Sequence, residues 1–189
     1  MTNPLDRVRE ELSRPTRDLP NAVCVATVDA GGRPRNRVVL VKDVDDRGVV
    51  FFTNYESDKS RDLDGHPYAA MAVYWHETLM QVRVSGRVEK VSAGESDAYF
   101  ASRPRGSQIG AWASSQSRPL GEFQELKDRV AMFEAKFAGQ DVPRPPHWGG
   151  WRIVADDVEI WHDGEARLHR RERYRLAGDG TWSMTLLNP

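Results

Sequence analysis

The chain has 189 residues, 39% of them hydrophobic, with 27 Lys and Arg against 28 Asp and Glu and a formal net charge of -1. That is enough apolar material for a globular core, and the balanced charge excludes a general nucleic-acid or membrane-surface binder, which needs a dominant basic face. A single cysteine, Cys24, excludes an internal disulfide and a thiolate metal site, and no apolar run approaches the roughly 20 residues of a membrane span.

From the N-terminus, Leu5 to Leu12 reads as a short charged helix closed by Pro15, and a linker reaches Asn21. The start, Met1-Thr-Asn-Pro4, lacks the apolar centre of a signal peptide, so a soluble cytoplasmic protein is expected. Residues 22–189 are expected to form one domain after this helix and linker. Ala22 to Val28 is a strand, with Cys24 read as a buried small apolar residue. Arg37 to Lys42 and Val49 to Thr53 follow across short turns as an antiparallel meander. Arg37 and Lys42 stand at odd spacing, so they leave opposite faces of an ideal strand; they fit either edge-strand charges or a site. Ser57 caps a short helix to Leu63, and Lys59 in its first turn fits a solvated surface lysine.

Tyr68 to Trp75 is the fourth strand. Leu79 to Val91 is the fifth and longest, with Met80, Val82, Val84, Gly86 and Val88 on the core face and Gln81, Arg83, Ser85 and Arg87 opposite. A helix from Gly94 to Ser102 leads into a polar stretch. Glu122 to Ala138 is an amphipathic helix with Phe123, Leu126, Val130, Phe133 and Phe137 on one stripe. The last third is β again: Gly150 to Val154, a turn at Ala155-Asp-Asp157, then Val158 to Trp161, Leu168 to Leu176 and Trp182 to Leu187. Strands with inserted helices and no βαβ alternation predict a mainly β fold, a small antiparallel barrel with peripheral helices.

The stretch Tyr99 to Ser117 carries the chemistry. Arg103 and Arg105 sit among Ser107, Gln108, Ser114, Ser115, Gln116 and Ser117 with no carboxylate in the run. Guanidinium forks with hydroxyl donors suit phosphate oxygens; the alternative is a polar loop between two helices. A second cluster, Arg167-Leu-His-Arg-Arg171, places Arg167, His169 and Arg171 on one face of the expected strand, where three cations call for an anion or a carboxylate. Trp161 just before it fits either core packing or a flat ring ligand. The five histidines form no metal-ligand pattern, no Gly-x-Ser-x-Gly elbow is present, and neither a Walker loop nor a Gly-x-Gly-x-x-Gly run appears.

On Arg37-Val-Val-Leu-Val-Lys42, Phe51 to Ser57 with Lys59, Gln81-Val-Arg83, Ser102 to Trp112, Gln116-Ser117, Trp148-Gly-Gly150, Glu159-Ile-Trp161, Arg167-Leu-His169 with Arg171, and Leu187-Asn-Pro189, the chain resembles the pyridoxamine/pyridoxine 5'-phosphate oxidase family. The resemblance implies an FMN-binding, homodimeric split β-barrel. It implies that FMN is held by Arg37, Val38, Val39, Leu40, Val41, Lys42, Phe52, Thr53, Lys59, Gln81, Gln116, Ser117, Trp161 and Arg171. The phosphate of a phosphorylated pyridine substrate would be gripped by Lys42, Tyr99, Arg103 and Ser107, with Arg167 and His169 over the ring as the catalytic pair. The reaction implied is oxidation of pyridoxamine or pyridoxine 5'-phosphate to pyridoxal 5'-phosphate, a vitamin B6 coenzyme, with O2 reduced to H2O2. A related flavin oxidase acting on another ring, of the phenazine-biosynthesis type, is the alternative, as is a flavin- or pyridoxal-phosphate-binding protein with little turnover. Four positions depart from the family pattern: Leu19 stands near a usual acidic residue, Met80 and Leu186 replace arginines, and Arg170 replaces an aspartate. Altered salt bridges near the cofactor or the dimer interface are expected from the last three.

Overall fold

The computed structural model describes residues 3–14 and 19–189. Helix α1 (Pro4–Leu12) starts at Asn3, whose side chain accepts from the Leu5 N–H at 3.0 Å. Its apolar stripe, Leu5, Val8 and Leu12, is buried, and the buried Glu11 is held by Arg7 at 3.1 Å and Arg14 at 2.9 Å. The expected stop at Pro15 and most of the linker fall outside the described residues.

Strands β1 (Ala22–Val28), β2 (Pro34–Val44) and β3 (Gly48–Asn54) form the expected antiparallel meander. β4 (Tyr68–Trp75) pairs with β1 and with β5 (Met80–Lys90). β6 (Trp148–His162), β7 (Arg170–Leu176) and β8 (Trp182–Leu187) complete a sheet of order β3-β2-β1-β4-β5-β6-β7-β8. A further pairing of β3 with β6 closes the first six strands into an antiparallel barrel, and β7 and β8 extend from it. Closure brings backbones close to β6 at two glycines. A Cβ on Gly48 would lie 1.8 Å from the Ile153 carbonyl oxygen, and one on Gly86 1.8 Å from that of Val154, so no side chain fits at either place.

The alternation read in β5 holds: Met80, Val82, Val84, Gly86 and Val88 are buried, while Arg83 and Arg87 are exposed. Three strand expectations need correction. The longest strand is β6, with 15 residues, and it runs unbroken through the expected turn at 155–157. Asp157 does not break it because Arg173 on β7 binds its carboxylate with Nε at 2.9 Å and Nη2 at 2.5 Å. Cys24 is only partly buried: Val23 and Val25 fill the core, and Cys24 faces out in a cross-sheet row with Val38 and Ala72. β7 begins at Arg170, because Glu165–Arg167 is a 3₁₀ turn with Ala166 at φ 53° and Arg167 at φ 65°.

Helices α2 (Asp58–Gly65), α3 (Ala93–Ser102), α4 (Arg105–Ala113) and α5 (Phe123–Lys136) are the remaining ones among the described residues. Ser92 and Glu95 form a capping box at the start of α3, each satisfying the other's backbone N–H. α4 occupies the stretch for which a cradle or a loop is expected. The α5 stripe is buried toward its C-terminal end, at Phe137, whereas Phe123 is 66% exposed and not part of the core. The chain divides into two compact units, Met1–Phe51, Asp62–Glu89 and Arg152–Pro189 in one, Phe52–Arg61 and Lys90–Trp151 in the other. The core of the second is Phe100, Ile109, Phe137, Val142 and Trp148, with Phe52, Tyr99, Trp112 and Phe133 packed against it.

Candidate active site

The helical unit holds two polar groupings. In the first, Tyr99 and Arg103 lie one turn apart at the end of α3, and Arg103 is its C-cap. Tyr99 stacks on Phe52 at 4.2 Å, and the Arg103 guanidinium lies 4.7 Å over the Trp148 ring. Burial holds the Arg103 pKa below its ordinary value. Its Nη1 is buried with no hydrogen-bond partner among the described residues. Pro104 then starts α4, and Ser107 falls in its first turn, where N–H groups and the positive helix end suit an anion. The expected cradle is smaller than its composition suggests. Arg105 turns away and donates to the carbonyls of Gln140 at 2.8 Å and Phe137 at 2.6 Å, capping the end of α5. Gln108 is buried and ties α4 to α3 through the Phe100 carbonyl at 3.0 Å.

The second grouping is built around Lys59. Its Nζ donates to Gln116 Oε1 at 2.7 Å, Thr53 Oγ1 at 3.0 Å and Ser57 Oγ at 3.2 Å, and Thr53 also donates to Gln116 at 3.0 Å. Lys59 is therefore part of a partly buried polar cluster, not a solvated surface lysine. The loop after α4 is held in place by Asn54 Nδ2 on the Ser114 carbonyl at 3.4 Å and by Arg118 on Asp58 at 2.7 Å. Ser117, next to Gln116, has φ 66°, a conformation that turns the chain sharply there. Phe52 belongs to the aromatic stack, and Gly150 leaves room for it: a Cβ there would lie 2.8 Å from the Phe52 ring.

The barrel unit holds the rest. Arg37 on β2 donates to Thr27 Oγ1 at 2.7 Å and lies 3.6 Å from the buried Asp62, which also accepts from Thr27 at 2.6 Å. Val38 and Leu40 are exposed at 68% and 36%, Val39 is half-buried and Val41 is buried. Lys42 is exposed at a bulge, where β2 has one residue more than β3 between Val41 and Asp43. Gln81 faces the partly polar side of β5, opposite Tyr74. Trp161 lies 4.5 Å from the His169 ring and 6.4 Å from that of Tyr74.

The strand face expected to carry Arg167, His169 and Arg171 together is not formed, because Arg167 and His169 both precede β7. Arg167 is exposed at the end of the 3₁₀ turn. His169 Nδ1 lies 3.2 Å from the Gly164 N–H and 3.1 Å from Asp163 Oδ1, an acceptor to the first when neutral and a donor to the second when protonated. Arg171 stands opposite Trp161 and donates to Glu159 at 2.8 Å, and that carboxylate raises its pKa. Glu159 and Asp62 are thus buried partners of two arginines of interest. Glu159 carries a sequence signal, a carboxylate inside the apolar run Val158-Glu-Ile-Trp161, whereas Asp62, in the charged stretch Ser60-Arg-Asp-Leu-Asp64, carries none. Of the departures from the family pattern, Met80 is a core packing position, Arg170 pairs with Glu172, Leu186 is 59% exposed on β8 and Leu19 is 66% exposed. No helix among the described residues is long and apolar enough to cross a membrane.

The fold is shared with a pyridoxamine 5'-phosphate oxidase-related, FMN binding protein from Nostoc punctiforme PCC 73102, at a TM-score of 0.81 and 18% identity over 100% of this chain and 99% of that one. It is also shared with PhzG from Burkholderia lata 383 in complex with tetrahydrophenazine-1-carboxylic acid, at a TM-score of 0.84 and 35% identity over 90% of this chain and 83% of that one. The class is that of oxidoreductases built on a closed antiparallel barrel. Residues 8–137 match the family model described as Pyridoxamine 5'-phosphate oxidase, and residues 148–189 match the Pyridoxine 5'-phosphate oxidase C-terminal dimerisation region. Pyridoxine/pyridoxamine 5'-phosphate oxidase from Myxococcus xanthus (strain DK1622) is 54% identical over 190 residues, 99% of this chain and 92% of that protein. The protein of the same name from Burkholderia multivorans is 55% identical over 172 residues, 90% of this chain and 80% of that protein. The chain belongs to the pyridoxamine 5'-phosphate oxidase family.

Proposed function

We propose that the chain oxidises pyridoxamine or pyridoxine 5'-phosphate to pyridoxal 5'-phosphate, with FMN as cofactor and O2 reduced to H2O2, as a cytoplasmic homodimer. The observation that carries this reading is the buried Arg103 Nη1 with no acceptor among the described residues. A buried donor left unpaired costs about 1–3 kcal/mol, more when charged, and a phosphate oxygen would relieve that cost. Tyr99 and Ser107, on the helices either side of Arg103, would add donors for such a group, and the family pattern adds Lys42.

The donor sets also fit FMN. Lys59 among Thr53, Ser57 and Gln116 supplies a cation and hydroxyls suited to a phosphate tail. Ser117 adds a hydroxyl, and Phe52 packs beside this strand end. In the barrel unit, Arg37 through Lys42, Gln81, Trp161 and Arg171 would hold the remainder. When bound, FMN would supply the two-electron redox chemistry between substrate and dioxygen. The protein's share is binding and orientation. Arg167 orients the substrate ring. His169, with Nδ1 engaged at either Gly164 or Asp163, offers Nε2 to the substrate.

The test is peroxide release from the FMN-reconstituted protein with each of the two phosphates. Peroxide with either supports the reading. A yellow protein that releases none with both would sink it. It would instead favour an oxidase of another ring, the second reading, which the likeness to PhzG supports.

A further inference from the structure

Glu159 is 4% exposed, and the reaction proposed above does not use it. It lies on β6 on the same side as Asp157 and Trp161, away from the core residues Val158 and Ile160. Its Oε1 accepts from Arg171 Nε on β7 at 2.8 Å, and its Oε2 lies 3.3 Å from Arg83 Nη1 on β5. One carboxylate thus bridges the two strands that flank its own. The register shows what this does to Arg171. Arg171 stands opposite Trp161, and Glu159 stands opposite Arg173, so Arg171 leans two residues along the sheet to reach it. Its Nη1 donates to the Asn188 carbonyl at 3.1 Å, and among the described residues Nη2 has no hydrogen-bond partner.

Glu159 is buried but its partners are not, Arg171 being 28% and Arg83 54% exposed; ion pairs with such exposed partners contribute little to stability, so stability alone does not account for Glu159. Charge does. Two arginines on one glutamate keep a net positive charge, so the group still attracts an anionic ligand while one guanidinium is held in a single pose. Holding it beforehand removes the side-chain entropy that a ligand would otherwise have to overcome.

We infer that Glu159 is a positioning residue for the cofactor, acting through Arg171, with Arg83 keeping the group cationic. The inference rests on the FMN reading above. The test is a double-mutant cycle on the full-length apoprotein, titrated with FMN and followed by flavin fluorescence. Glu159→Gln, of the same shape without the charge, is expected to raise the FMN Kd about ten-fold, the scale of one charge-assisted hydrogen bond. Arg171→Ala is expected to raise it at least as much, and the double variant no further than Arg171→Ala alone. Should E159Q fail to fold, Glu159→Asp, which keeps the charge but withdraws it by one methylene, carries the same cycle with the same expectation. Wild-type affinity in the Glu159 variant, or losses that add in the double variant, would overturn the inference while the FMN reading stands. A wild-type chain that binds no FMN would overturn both.

Discussion

Replacing Arg103 by alanine removes a guanidinium whose buried Nη1 lacks an acceptor among the described residues. The expected result is a KM for pyridoxine 5'-phosphate raised about 100-fold, the scale of a lost charge-assisted contact, with FMN affinity unchanged. An unaltered KM would remove Arg103 from the substrate site. Arg105→Ala is the contrasting experiment. Both of its hydrogen bonds go to carbonyls at the end of α5, so urea denaturation should show a loss of about 1–2 kcal/mol and steady-state kinetics no change in KM. The two arginines look alike in the sequence. What separates them is Pro104, which starts a new helix between them and sends Arg105 toward α5.

At the scale of elements, periodicity was legible wherever one face is core. β5 follows its alternation throughout, and β1, β4 and β8 have the bounds read from their β-branched and aromatic runs. α4 was hidden because its first turn, Arg105-Gly-Ser-Gln108, carries no apolar residue, whereas α3 opens on the legible capping-box pair Ser92 and Glu95. The turn at 165–167 was hidden for another reason: Ala166 and Arg167 have positive φ without being glycine, which no local pattern announces. In the site, Arg103 and Lys59 could be picked out as cations. Their opposite surroundings, and the partners Glu159 and Asp62, depend on pairings made across the sheet. β6 shows the same limit, since Asp156-Asp157 looks like a turn until Arg173 is placed beside it.

That pairing sets a pH dependence. Burial alone would raise the Asp157 pKa, but the hydrogen bonds and charges of Arg173 and Arg175 outweigh it and hold the carboxyl below its ordinary value. A carboxyl lowered in the folded state contributes stability above its unfolded pKa, and loses it as pH falls through the folded one. Asp157→Asn should therefore cost about 1–2 kcal/mol at neutral pH, and the gap to wild type should close as pH drops below about 4. Urea midpoints measured from pH 7 to pH 3 would show this; a gap constant across that range would contradict it.

For the whole molecule, barrel closure rests on backbone contact at Gly48 and Gly86. Gly86→Ala pushes a methyl group into the Val154 carbonyl, which neither strand can avoid without parting. A loss of about 3 kcal/mol or more is expected, read as a lowered melting temperature; a variant that melts with wild type would show that the barrel gives way at that point. β6 has a wider consequence. Its first four residues belong to the helical unit and the rest to the barrel unit, so a chain opened or lengthened near Asp156 would interrupt a strand that both units share. New termini or inserted sequence belong instead at the Ala177–Gly180 hairpin tip, an exposed turn where rewiring the polypeptide leaves every shared strand intact.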